Sequence, residues 1–188
     1  DADVVSVERG AVVGRNASFL HVTSGEPAPH FALTDQDGNP VSLDDYQGKW
    51  LVMDWIYTSC LTTCPALTAN MKMLLDGLGD YAGPEIELVS ITFDPDRDTT
   101  EAMKSYSQKV GGDVPSWTWL TGAKEETDAV AAAYGKVYQP AIGIKNLGHF
   151  DHTALVVVVD PEGRERHRYF GTGWSQDLLT RLEPELAA

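Results

Sequence analysis

The feature that most constrains this chain is the run Trp50-Leu51-Val52-Met53-Asp54-Trp55-Ile56-Tyr57, which is apolar almost throughout. A strand with one wet face alternates apolar and polar side chains, so a run without alternation predicts a strand covered on both faces. The period then changes. From Thr62 to Leu78 the apolar residues Leu67, Met71, Leu74, Leu75 and Leu78 recur at intervals of three and four, which predicts an amphipathic helix. A second buried strand follows in Ile86-Glu87-Leu88-Val89-Ser90-Ile91-Thr92-Phe93.

Around this unit the remaining signals fall into order. His30 to Leu33 and Val41 to Leu43 flank Asp35-Gln36-Asp37-Gly38-Asn39, whose turn chemistry predicts a hairpin. Asp98 with Glu101 three residues on reads as a capping box opening a helix over Thr99–Val110. Trp117 to Leu120 reads as a short strand and Glu125 to Tyr134 as a helix. Thr153–Asp160 and Arg164–Phe170 read as strands joined by Pro161-Glu162-Gly163, and Ser175–Leu186 as a closing helix. The body is thus strand, helix, strand, helix, an inserted segment, strand, tight turn, strand, helix. Helical crossovers predict that the first three of those strands are parallel, and the three-residue turn predicts an antiparallel last pair. The order resembles the thioredoxin-like α/β fold, a central mixed sheet flanked by helices. Residues 1–28 are expected to form an N-terminal extension, irregular or with short strands pairing as a hairpin, ahead of a thioredoxin-like domain over 29–188.

Composition narrows the function. At 188 residues, 43% hydrophobic and 22% charged, the chain has ordinary globular proportions and the length of one domain. With 14 Lys and Arg against 28 Asp and Glu the net charge is −14, which opposes approach to nucleic acid and anionic lipid. The longest purely apolar run, Ala154 to Val159, is far short of the roughly 20 residues that span a bilayer. The chain opens Asp1-Ala2-Asp3 with no Met, as a mature or trimmed product does, so the expectation is a periplasmic or otherwise extracytoplasmic protein whose precursor carries a signal or membrane anchor.

The two cysteines carry most of the functional information. They lie in Tyr57-Thr58-Ser59-Cys60-Leu61-Thr62-Thr63-Cys64-Pro65, between the buried strand and the helix, where α/β sheets expose their functional loops. Residues i and i+4 share a helix face, and free N–H groups at a helix start favour a thiolate. Pro65 complicates this, because the residue before a proline is pushed away from helical geometry. A structural disulfide here would close a loop of only five residues and constrain the unfolded chain by roughly 2 kcal/mol, an inefficient staple. Reversible redox chemistry and soft-metal ligation both suit the position better, and CxxxC spacing does not separate them.

Two thiolates holding a metal need a further ligand, which brings in the five histidines. His21 and His30 precede the body of the fold, and His167 in Arg166-His167-Arg168 reads as solvent-facing. His149 and His152, in Gly148-His149-Phe150-Asp151-His152-Thr153, stand just before the buried strand Ala154 to Val159, whose entering loop abuts the cysteine loop in a thioredoxin-like fold.

Taken together, Tyr57-Thr58-Ser59-Cys60 with Cys64-Pro65, Asp94-Pro95-Asp96-Arg97-Asp98-Thr99, Trp119-Leu120-Thr121-Gly122, Asp151-His152-Thr153, Asp160-Pro161-Glu162-Gly163 and Tyr169-Phe170-Gly171 resemble the Sco/SenC family of copper-binding assembly proteins. The resemblance runs from about Pro29 to the C-terminus. It implies copper bound by Cys60, Cys64 and His152, and a role in building the binuclear copper centre of cytochrome c oxidase. The partner it implies is the copper-bearing oxidase subunit or another copper chaperone. The first 28 residues and His149 lie outside the family pattern. Thiolates are soft donors suited to Cu(I), and three ligands suit its low coordination number, whereas structural zinc normally takes four. Zinc held by Cys₂His with water or His149 is the alternative metal, and Asp151 is placed to orient His152.

The same residues support a second function, a thiol-disulfide oxidoreductase in which Cys60 and Cys64 form a catalytic redox pair that reduces a partner's cysteines. A third reading is an inert interaction domain in which neither the cysteines nor His152 matters. Other signals are set aside. Asp94, Asp96 and Asp98 imitate a calcium loop but lack its Gly and its final Glu, where Thr99 and Ser105 stand. Met71 and Met73 point different ways on one helix, and Met71 reads as core. A peroxiredoxin would have Thr three residues before its reactive cysteine, and Tyr57 and Leu61 hold those places. Asn16-Ala17-Ser18 fits the glycosylation pattern only as a frequent accident.

Overall fold

The computed structural model describes the backbone of residues 6–7, 10–15, 19–136, 138–140, 150–152 and 154–187, with side chains over 19–136 and 154–187. His149, the side chain of His152 and Asn16 to Ser18 lie outside the described residues.

The apolar run forms β6 (Trp50–Ile56), and all seven of its residues are buried. Beside it lie β7 (Ile86–Thr92) and β8 (Trp117–Thr121), each in parallel register, with Trp50 against Ile86 and Leu88 against Trp117. On the other side of β6 comes β11 (Leu155–Val159), then β12 (Glu165–Gly171), which pairs antiparallel with β11 across the tight turn. Each fully buried Val, Leu, Ile or Met side chain in these strands contributes roughly 1.5–3 kcal/mol. The strand order makes β6 and β11 the centre of the core.

The expectation of three parallel strands holds for β6 and β7, with β8 from the inserted segment as the third; it fails for β11, which runs antiparallel to β6. The reason lies in the connection. Between the preceding helix and β11 the chain passes through a separate two-stranded hairpin, β9 (Tyr138–Pro140) and β10 (Phe150–His152), so a simple helical crossover does not deliver β11.

The sheet extends at both edges. β4 (Ala32–Asp35) and β5 (Pro40–Ser42) form the expected hairpin, and β4 joins the edge of β8. At the other edge β1 (Ser6–Val7) and β2 (Gly10–Arg15) lead to β3 (Phe19–Thr23), and β3 pairs with β12 from Phe19 opposite Gly171 to Thr23 opposite His167. The N-terminal hairpin is therefore hydrogen-bonded into the central sheet.

Among the described residues four α-helices flank the sheet. α1 (Thr63–Leu78) buries Leu67, Met71, Leu74 and Leu78, as the spacing predicts, and leaves Met73 exposed. α1 packs beside α4 (Ser175–Leu186), so closely that a Cβ added at Gly77 would stand 2.5 Å from Leu179 Cδ1. α2 (Thr100–Lys109) covers β8, and α3 (Lys124–Ala133) contacts β4. The cap of α2 differs from the reading above: Thr99, not Asp98, stands at the N-cap, and its hydroxyl accepts the Ala102 N–H at 3.3 Å. Stronger donors inside the fold draw the Asp98 carboxylate away. Among the described residues no helix is long and apolar enough to cross a membrane.

Candidate metal and thiol site

The cysteines stand where β6 hands over to α1. The Cys60 N–H donates to the Tyr57 carbonyl at 3.1 Å, turning the chain out of the strand, and the helix starts at Thr63. Pro65 falls in the first helical turn, where its missing N–H has no intrahelical acceptor to lose, so Cys64 is accommodated in helical geometry despite preceding it. The Cys64 N–H donates to Cys60 Sγ at 3.3 Å, and the Thr62 hydroxyl stands 3.7 Å from the same sulfur. No disulfide joins the two cysteines, and both are buried, Cys60 at 5% exposure and Cys64 at 0%. Leu61 between them is 79% exposed and forms the lip of the loop.

Electrostatics of the metal-free pair depart from the expectation that the helix start lowers a thiol pKa. The Cys64 thiol is hydrogen-bonded with Cys60 and buried, and both causes push it well above its usual range. Two further ionisable groups are buried in the fold, and one of them, Lys136, is within electrostatic reach of Cys60, Cys64 and Asp54. Asp54, the one polar interruption of the apolar strand, is fully buried, accepts the Ser90 hydroxyl at 2.5 Å, and is raised to about 7 by desolvation. Its Oδ2 has no hydrogen-bond partner among the described residues. Lys136, at the exit of α3, is 5% exposed, with Nζ 5.1 Å from the centre of the Phe93 ring. Burial lowers it to about 8, against the opposing pull of Cys64, Asp54 and Cys60. Sequence reasoning missed both groups. A lone Asp inside a buried strand is a signal for the first; nothing local marks Lys136, whose place depends on where α3 ends.

The structure thus brings Cys60, in the loop after β6, and Cys64, in the first turn of α1, together. It sets the backbone of His152 in β10 opposite Tyr138, with the imidazole outside the described residues. Among those residues no group of three or more His, Cys, Asp or Glu gathers as a metal site. His167 is not solvent-facing: it is half-buried on β12, and its Nδ1 lies 3.0 Å from Nε2 of His21, which is wholly buried on β3. The cause is the pairing of β3 with β12, which puts both rings on one face of the sheet.

The sequence model of the SCO1/SenC family matches residues 23–186. The human mitochondrial protein SCO1 homolog is 33% identical over 143 residues, which cover 75% of this chain and 46% of the human protein. The corresponding share of the mouse protein is 53%, so the chain spans about half the length of these curated relatives. Among solved structures, Arabidopsis thaliana ScoI with copper bound superposes with a TM-score of 0.70 at 26% identity, covering 87% of this chain and 97% of that one. BsSco, described with a disulfide switch and as a member of the Sco family of cytochrome c oxidase assembly proteins, gives 0.71 at 25% identity over 88% of this chain and 96% of its own. The chain belongs to the SCO1/SenC family.

Proposed function

We propose that this protein is a copper metallochaperone that binds Cu(I) or Cu(II) through Cys60, Cys64 and His152 and serves assembly of the binuclear copper centre of cytochrome c oxidase. The observation that carries the reading is the pair of cysteines, not joined by a disulfide and linked by the Cys64 N–H to Cys60 Sγ contact, at the junction of β6 and α1, in a family that includes a copper-bound structure. Two adjacent sulfurs form a soft donor set that fits Cu(I), and on this reading the His152 imidazole is the third donor. The partner on this reading is the copper-bearing oxidase subunit or another copper chaperone.

Anaerobic titration with Cu(I) and Cu(II) tests it. Reduced protein is expected to bind one copper per chain, with thiolate-to-copper charge-transfer absorption for Cu(II), and protein oxidised to the Cys60–Cys64 disulfide essentially none, since only thiolates ligate. Equal binding by both forms would sink the site. His152→Ala should weaken binding and alter the spectrum with the fold intact, and His149→Ala should do neither. The reverse outcome identifies His149 as the ligand.

A second reading, a thiol-disulfide oxidoreductase acting through Cys60 and Cys64, is favoured by the buried Lys136, within electrostatic reach of both cysteines, and the buried Asp54 that also acts on it, ionisable groups of the kind that move protons in thiol exchange. It requires no imidazole, so exchange activity unaffected by His152→Ala alongside lost copper binding separates the two.

A further inference from the structure

The Asp98 carboxylate is wholly buried and accepts three hydrogen bonds. Oδ2 takes the Thr58 N–H at 3.0 Å and the Thr92 hydroxyl at 2.6 Å, and Oδ1 takes the Thr58 hydroxyl at 2.5 Å. Three donors converging on two oxygens match a carboxylate, which accepts and does not donate. The Asp98 main-chain carbonyl accepts the Thr121 hydroxyl at 2.6 Å. Thr58 follows β6, Thr92 ends β7 and Thr121 ends β8, so one residue ties together the carboxyl ends of all three parallel strands.

Thr58 is the point at which this knot reaches the cysteines. It stands between Tyr57, whose carbonyl holds the Cys60 N–H, and Ser59, the one residue before Cys60, whose sulfur holds the Cys64 N–H. A loop tethered only at its covalent ends samples many geometries, and two sulfurs that must meet one partner lose effectiveness as their spacing spreads. We propose that Asp98 is the positioning residue of the cysteine loop, acting through Thr58 to hold Cys60 and Cys64 in the reduced, ligand-ready arrangement. Its metal consequence rests on the copper reading above, and its thiol consequence does not.

The test uses the whole chain. Asp98→Asn keeps the shape: its amide oxygen can accept from the Thr58 N–H and the Thr92 hydroxyl, while its amide nitrogen meets a Thr58 hydroxyl that must turn to accept. Thr58→Val removes the partner of Oδ1, and Thr58→Ser restores it, so this pair carries the test should Asp98→Asn fail to fold. In folded, metal-free variants the Cys60–Cys64 disulfide equilibrium is measured against glutathione buffers. The clamp is present with no disulfide between the cysteines, so its loss should shift that equilibrium toward the disulfide by about threefold or more in Asp98→Asn and Thr58→Val, the effect of one net hydrogen bond, with Thr58→Ser near the parent. Cu(I) affinity by competition should fall about tenfold or more in the same variants, as for lost outer-shell partners of metal ligands. An unchanged disulfide equilibrium in the folded variants, or Thr58→Ser behaving like Thr58→Val, overturns the proposal. A shifted equilibrium with parental Cu(I) affinity upholds the clamp for the thiols and overturns it for the metal. A parent that binds no Cu(I) overturns the copper reading instead, and the glutathione arm still judges the clamp.

Discussion

Asp54 shows how one residue can work against the fold that contains it. Ser90 donates to its Oδ1, and Trp117 Nε1 donates to the Ser90 oxygen at 3.0 Å, yet Oδ2 is left without a hydrogen bond among the described residues. Its folded value of about 7 lies above the unfolded carboxyl value near 4, so the folded state binds more protons between those limits. The associated stability is present below about pH 4 and lost as pH rises through about 7, a difference on the order of a few kcal/mol. Asp54→Asn removes this dependence. The melting temperature of the variant minus that of the parent should therefore increase from pH 5 to pH 8, and a constant difference would show that Asp54 does not titrate there.

Among elements, the seam between β3 and β12 has the opposite dependence. His21 stacks on Tyr169, with ring centres 4.6 Å apart, and its ring is tilted against that of His167, with centres 5.0 Å apart. Burial first, then the nearby Arg181, lowers both rings to about 4; Arg166 adds to the effect on His167, and Asp177 opposes it in both. Unfolded histidines take up protons near 6.5, so the unfolded state binds more protons between about 4 and 6.5. Stability from the seam is complete above about 6.5 and lost as pH falls toward 4. His21→Phe keeps an aromatic ring against Tyr169 and removes one titrating group. Thermal melts at pH 7.5 and pH 5 should show a smaller acid loss in His21→Phe than in the parent, whereas Asp54→Asn should show a larger one. An equal acid loss in His21→Phe and parent would place the titration elsewhere.

For the whole molecule, the two proposed functions share one pair of sulfurs. A sulfur bound to copper cannot attack a disulfide, so loading should suppress thiol exchange, and the residual rate should fall as free Cu(I) rises. His152→Ala, with weaker binding, should need more copper for the same suppression. Reduced protein mixed with a chromogenic disulfide at several buffered Cu(I) levels provides the measurement, through the rate of thiol release. A rate independent of bound copper would mean that the reactive sulfurs are not the ligands.

Local chemistry alone determined the elements that bear on function: the unalternated run of β6, the three-and-four spacing of α1 and the CxxxC between them are each visible within a few residues, because burial on both faces, helical period and turn chemistry are short-range demands. The family motifs were legible for the same reason, including Cys60 and Cys64 at the strand-helix junction. Tertiary structure decided what depends on distant partners. Asp98 reads as a cap from Glu101 three residues on, but Thr58, just after β6, and Thr92, at the end of β7, claim its carboxylate. His21 reads as lying ahead of the body of the fold and His167 as solvent-facing until β3 pairs with β12. Lys136 acquires its role only from the burial that desolvates it, and β11 takes its direction from the hairpin that precedes it. Hydrogen bonds and desolvation act through space, and the pairing of strands far apart in sequence sets which groups they join.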